Sequence, residues 1–160
     1  MIGGGVFRLA PGQWTDDTAM AVGMGRSLVA KAAFEPLDTL AEWSAWYREG
    51  KHSCTGTCFD IGAVTAKALK HLPPRSDATS RDRQFCSRDG SLMRLAPIVL
   101  FASSSDEAER LSYGQATLTH GEDAALATGW FGRILFETAL TGQLNPAAVS
   151  PDIRQRRRIK

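Results

Sequence analysis

Cysteine is scarce in this chain: Cys54, Cys58 and Cys86 are the only three among 160 residues. An odd number cannot pair completely, and the C-x3-C spacing of Cys54 and Cys58 lacks the second pair or the His cluster that zinc takes. A disulfide-stapled scaffold and a structural zinc site are both excluded, which leaves reduced thiols. No apolar run reaches the length of a membrane span, so no membrane partner is expected. Nor does a basic stretch lead an apolar one at the N-terminus, as a secretory leader requires, and the expected compartment is the cytoplasm. An excess of one charge is lacking as well. The net charge is +2, and Arg154, Arg156, Arg157, Arg158 and Lys160 against Asp152 give residues 151–160 a local +4, which leaves −2 for residues 1–150. A terminal basic cluster without interleaved aromatics is not a nucleic-acid face. Residues 143–160 read as a solvated, disordered tail.

Alternation of period two is absent too, whereas apolar residues recur at helical spacing along most of the chain. Gly3-Gly4-Gly5 and Pro11-Gly12 make the first 14 residues a loop. A first helix is expected over 16–33 with Met20, Met24, Leu28 and Val29 inward. Gly23 and Gly25 within it imply close packing against a neighbour. Pro36 opens a second helix, with Leu37, Leu40, Trp43 and Tyr47 on one face and Gly50 as its stop; Trp43, Trp46 and Tyr47 read as core. A loop over 53–57 feeds a third helix over 59–70, with Ile61, Val64, Ala68 and Leu69 inward, stopped by Pro73-Pro74. Residues 73–89 form a long polar loop. The stretch 91–101 is helical, with Pro97 kinking it or lying near its start. Ser104 and Glu107 stand at capping-box spacing before a fifth helix to about residue 116. A sixth, carrying Leu126, Trp130, Ile134 and Leu135 at helical spacing, fills 121–141 up to Gly142. The fold class is therefore all-α, a multi-helix orthogonal bundle forming one domain over 1–142.

Chemistry concentrates in Gly12-Gln13-Trp14-Thr15-Asp16-Asp17-Thr18, where a glycine-rich loop turns into the first helix. On spacing alone this is an N-cap with acids in the first turn, which suits the positive end of the helix dipole. The alternative is a compact set of hard oxygen donors, the kind that holds Mg²⁺ or Mn²⁺.

Four blocks bear on that choice. Gly3-Gly4-Gly5 is followed by Pro11-Gly12-Gln13-Trp14-Thr15-Asp16-Asp17-Thr18-Ala19-Met20, then by Ser53-Cys54-Thr55-Gly56-Thr57-Cys58-Phe59-Asp60-Ile61-Gly62. Asp89-Gly90-Ser91-Leu92-Met93-Arg94-Leu95-Ala96-Pro97 and Thr119-His120-Gly121 complete the series. In this order, over residues 3–142, they resemble the ADP-ribosylglycohydrolase family, which includes the dinitrogenase reductase-activating glycohydrolases. The resemblance implies a partial form of that family's fold. It also implies hydrolysis of the glycosidic bond of ADP-ribose adducts with two Mg²⁺ or Mn²⁺ ions, and ADP-ribose or an ADP-ribosylated protein as partner. Carried over residue by residue, Thr15, Asp16 and Asp17 are metal ligands and Asp60 is the catalytic carboxylate. Phe59, Gly62, Gly90, Ser91, Met93 and His120 line the ADP-ribose site. A glycine turn leading into a helix at 90–94 suits a diphosphate.

Two departures stand out. Arg88-Asp89-Gly90 occupies the place of the family's Gly-Asn-Gly, and a carboxylate beside a diphosphate is electrostatically unfavourable. The family's upstream helix with an acidic residue and its late Asp-x-Asp-Thr block have no counterpart here, so the dinuclear site is expected to be incomplete. Weak, single-ion binding and little hydrolase activity for this chain alone follow. Two alternatives are a non-catalytic ADP-ribose-binding module and a helical interaction protein that self-associates, or binds a completing chain, through exposed apolar faces.

Overall fold

The structure, a computed structural model, describes residues 2–70 and 90–143. It contains α1 (Asp16–Lys31), α2 (Pro36–Glu49), α3 (Ala63–Lys70), α4 (Ala96–Phe101), α5 (Ser105–Thr117) and α6 (Glu122–Thr141). Among the described residues there is no strand, only an isolated antiparallel bridge between Gly4 and Leu9 that closes the N-terminal loop. No helix among them is long and apolar enough to cross a membrane. The fold class is all-α. The polar loop, Pro73-Pro74, Cys86, Asp89 and the basic tail lie outside the described residues, apart from Gln143 at the tail's start.

α1 packs on α2 and α4, α3 packs on α2, and α5 pairs with α6; α4 touches α5 and α6 as well as α1 and so joins the two halves. The core gathers Met20, Met24 and Leu28 of α1, Leu40, Trp43 and Trp46 of α2, Leu69, Ile98 and Leu111. As the two glycines of α1 imply, neighbours come close at both. The side chains of Trp43 and His52 lie 3.3 Å from where a Cβ on Gly23 would be, and Pro97 lies 3.6 Å from that point on Gly25. Trp43 Nε1 donates to the Met20 carbonyl at 2.9 Å, fixing α2 across α1.

Several elements differ from the sequence reading. α3 begins at Ala63 instead of residue 59, because Asp60 takes a left-handed backbone (φ +58°) that no helix accommodates. The stretch 90–94 is turn, and the helix starts only at Ala96 with Pro97 in its first turn, where its missing N–H costs nothing. Val29 and Leu37 are exposed rather than inward, and so is Leu126. In α1 the buried stripe is Met20, Met24 and Leu28 with Gly23 and Ser27 beside it, and Val29 lies one residue further round. The capping box is half realised. Ser104 Oγ accepts from Glu107 N at 3.2 Å, but the Glu107 carboxylate receives the N–H and hydroxyl of Ser103, at 2.9 and 2.6 Å.

Candidate functional site

Trp14 fastens the first block to the second. Its indole Nε1 donates to the His52 carbonyl at 3.0 Å, its backbone N–H donates to Cys54 Sγ at 3.3 Å, and the Cys54 thiol donates back to the Trp14 carbonyl at 2.9 Å. α2 ends in a left-handed Gly50, and the loop carbonyl of Gly56 passes so close that a Cβ on Gly50 would collide with it. Glu42 of α2 grips the same loop through His52 Nε2 at 2.6 Å and Lys51 Nζ at 2.7 Å. Residues 52–62 are thereby laid against the start of α1. Phe59 is half-buried and meets Phe7 edge-on, with ring centroids 5.4 Å apart, so the N-terminal loop folds over this segment.

The result is a cluster of three carboxylates. Thr15 is the N-cap residue by position but makes no side-chain cap bond, so ordinary capping does not explain this hydroxyl. Asp16 is buried, while Asp17 and Asp60 are exposed. Burial pushes the Asp16 carboxyl up to about 6, and the charges of Asp17 and Asp60 add to that shift. Asp17 is raised as well, by burial first and then by Asp60. Burial first, and then the charge of Asp16, pushes the Cys58 thiol up to about 11.

Three hard, mutually repelling oxygen donors are the chemistry a Mg²⁺ or Mn²⁺ ion relieves. Among the described residues no three His, Cys, Asp or Glu side chains stand close enough to hold an ion by themselves. The donors are of the kind such an ion takes, but as placed they form no metal-binding group.

The third and fourth blocks form a second wall. Ser91, Arg94, Thr119 and His120 are all buried. His120 Nε2 lies 3.2 Å from where a Cβ on Gly90 would be, so the imidazole and the turn touch. Ser91 Oγ pairs with Thr128 Oγ1 at 2.6 Å, and Gln115 Nε2 donates to the Ser91 carbonyl at 2.9 Å. Met93, half-buried, packs against the hydrophobic core. Arg94 links this wall to the first: its Nη1 lies 3.7 Å from Met20 Sδ, one helical turn beyond Asp16, and its guanidinium covers Trp43 at 3.9 Å.

The sequence pattern of the ADP-ribosylglycohydrolase family matches residues 1–157. The chain belongs to the ADP-ribosylglycohydrolase family. It is 34% identical over 159 residues to ADP-ribosylarginine hydrolase Tri1 of Pseudomonas putida, covering 98% of this chain and 43% of that protein. It is 30% identical over 132 residues to ADP-ribosyl-[dinitrogen reductase] glycohydrolase of Rhodospirillum rubrum, covering 80% of this chain and 42% of that one. A solved structure titled "ADP-ribosylglycohydrolase-related protein complex" superposes with a TM-score of 0.69 at 34% identity, over 89% of this chain and 46% of that chain. The chain thus spans under half the length of the relatives it matches.

Of the family-pattern residues, Thr15, Asp16, Asp17 and Asp60 stand together at the start of α1, with Phe59 and the exposed Gly62 beside Asp60 in sequence. Gly90, Ser91 and His120 stand together at the other wall. Trp14, Arg94 and Gln115 were missed as organisers of the site. For Arg94 a signal existed, a lone charge inside Leu92-Met93-Arg94-Leu95-Ala96.

Proposed function

We propose that this chain binds the ADP-ribose unit of ADP-ribosylated substrates and, with a divalent ion, takes part in hydrolysing its glycosidic bond. The observation that carries this reading is the convergence of Asp16, Asp17 and Asp60 into one cluster of interacting carboxylates, in a chain of this family. Thr15, Asp16 and Asp17 would hold Mg²⁺ or Mn²⁺. When bound, such an ion supplies a Lewis acid beside the ribose. Asp60 is the residue that orients the scissile linkage and faces positive charge developing at the anomeric carbon. The Gly90–Ser91 backbone and His120 offer donors to the diphosphate and ribose oxygens, as the turn ahead of α4 allows.

An octahedral ion takes about six oxygens, several of them water, and a pair of ions needs carboxylates on both sides, whereas Thr15, Asp16 and Asp17 line one side. Turnover by this chain alone is therefore slow and its metal affinity low. Titration with Mn²⁺ by calorimetry, alongside ADP-ribose release from an ADP-ribosylarginine peptide, tests this. Saturable ADP-ribose binding with weak single-ion binding and little release is expected; tight binding of two ions per chain contradicts it, and absence of ADP-ribose binding defeats the function.

A second reading, as a helical interaction protein, is favoured by one feature. An apolar groove of about 760 Å³ runs between α1 and α4 along Val22, Val29, Pro97 and Leu100. Val29 and Leu100 are 84% and 86% exposed. Apolar side chains exposed in this way suit association with another helical polypeptide. A rise of mass with concentration in light scattering would instead mark a second copy as the occupant.

A further inference from the structure

The N-terminal loop is a built hairpin that leaves its apolar tip in solvent. Gly4 N–H donates to the Leu9 carbonyl at 2.7 Å and Leu9 N–H to the Gly4 carbonyl at 3.0 Å. Arg8 N–H donates to the Gly5 carbonyl at 3.1 Å, which puts Val6 and Phe7 at the tip of a tight turn. A Cβ on Gly3 would collide with the Leu9 carbonyl, so the two arms stand as close as they can. Arg8 holds a left-handed backbone (φ +50°), a conformation that disfavours any residue with a Cβ. Val6 is 90% exposed and Phe7 44%. Single apolar residues on a surface are ordinary. A strained, hydrogen-bonded turn that holds one out into water is not, since core burial does not offset the strain, and strain of this kind gathers at functional sites.

The hairpin's place is fixed as well. Ala10 N–H donates to Gln13 Oε1 at 2.7 Å and Gln13 N–H to the Ala10 carbonyl at 3.1 Å, a turn that leads into Trp14, itself held by His52 and Cys54. From the tip, the Phe7 ring meets Phe59 with centroids 5.4 Å apart. The hairpin is thus tethered to both sources of the carboxylate cluster, through Trp14 next in sequence to Thr15 and through Phe59 next to Asp60. Asp60 is the residue assigned above to the scissile linkage, and what continues outward from that linkage is the substrate's polypeptide. We infer that residues 4–9 recognise the polypeptide part of an ADP-ribosylated substrate, with Val6 and the open side of Phe7 receiving an apolar side chain next to the modified residue. This rests on the function proposed above.

The test measures the affinity of the full chain, with Mg²⁺ present, for three probes: free ADP-ribose, a peptide ADP-ribosylated on an arginine flanked by leucines, and the same peptide flanked by serines. The leucine-flanked peptide should bind about tenfold tighter than the serine-flanked one, the weight of one aliphatic side chain taken out of water. Val6→Ser should erase that difference and leave the affinity for free ADP-ribose as it was, and Val6→Ile should keep the difference. Equal affinities for the two peptides in the unsubstituted protein overturn the proposal, and so does a preference for leucine that survives Val6→Ser. A Val6→Ser protein that loses affinity for free ADP-ribose as much as for the peptide also overturns it, because the tip would then serve the nucleotide. If no form of ADP-ribose binds, it is the function above that fails, and the hairpin's role falls with it.

Discussion

At Asp60 a left-handed backbone and a surplus of negative charge coincide. Its φ of +58° is one that Asp tolerates better than most residues, and such positions gather where function demands them. Burial and the charges of Asp17 and Asp60 raise Asp16 from 3.8 to about 6, so the native state holds this proton more tightly than the unfolded chain does. Stability must fall as pH rises across that window, since the unfolded carboxyl ionises first. Asp60→Asn keeps the backbone preference and removes one of the repelling charges. It should melt with the unsubstituted protein below pH 3.8 and about 2–4 °C higher above pH 6, in buffer without divalent ions. Coincident melting curves over the whole range would mean that the three carboxylates do not interact. If Asp60 orients the linkage as proposed, the same variant should abolish the slow ADP-ribose release that remains.

Between elements, the closest fit is that of α5 and α6. A Cβ on Gly132 would collide with the Ser112 side chain and stand 3.2 Å from the Ala108 carbonyl; one on Gly129 would stand 3.0 Å from Tyr113 Cβ. Gly132→Ala gains up to about 1 kcal/mol in helix propensity, but the forced separation of the helices outweighs it, at about 1–3 kcal/mol. Thermal unfolding should shift down by about 2–4 °C for each kcal/mol lost; an unchanged or higher midpoint would show that the pair can part without cost. Helix ends carrying their own local signal were legible in the sequence: Pro36 opening α2, Gly50 closing it, and Gly142 closing α6 in a left-handed cap. Where the signal is tertiary, it was not. Spacing gives the period of α1 but not which row a neighbour covers, which is why Val29 reads as core and stands in the groove. The late start of α3 depends on the left-handed Asp60, which no local rule for helix starts supplies.

For the whole molecule, Arg94 ties the two walls together through contacts that sequence spacing cannot show. Its partners Gln115 and Thr119 lie 21 and 25 residues away, and Met20 lies 74 away. The four blocks were readable because each is a short local string; where they sit relative to one another depends on this buried cation, on Trp14 against Cys54, and on Glu42 against the loop after α2. If the walls serve one ligand, ADP-ribose must touch both. The decisive measurement is an amide ¹H–¹⁵N titration of the full chain with ADP-ribose in the presence of Mg²⁺. Saturable shifts at Asp16, Asp17 and Asp60 together with Gly90, Ser91 and His120, following one binding curve, are predicted. Shifts confined to one wall, or an unchanged spectrum, would contradict a shared ADP-ribose site.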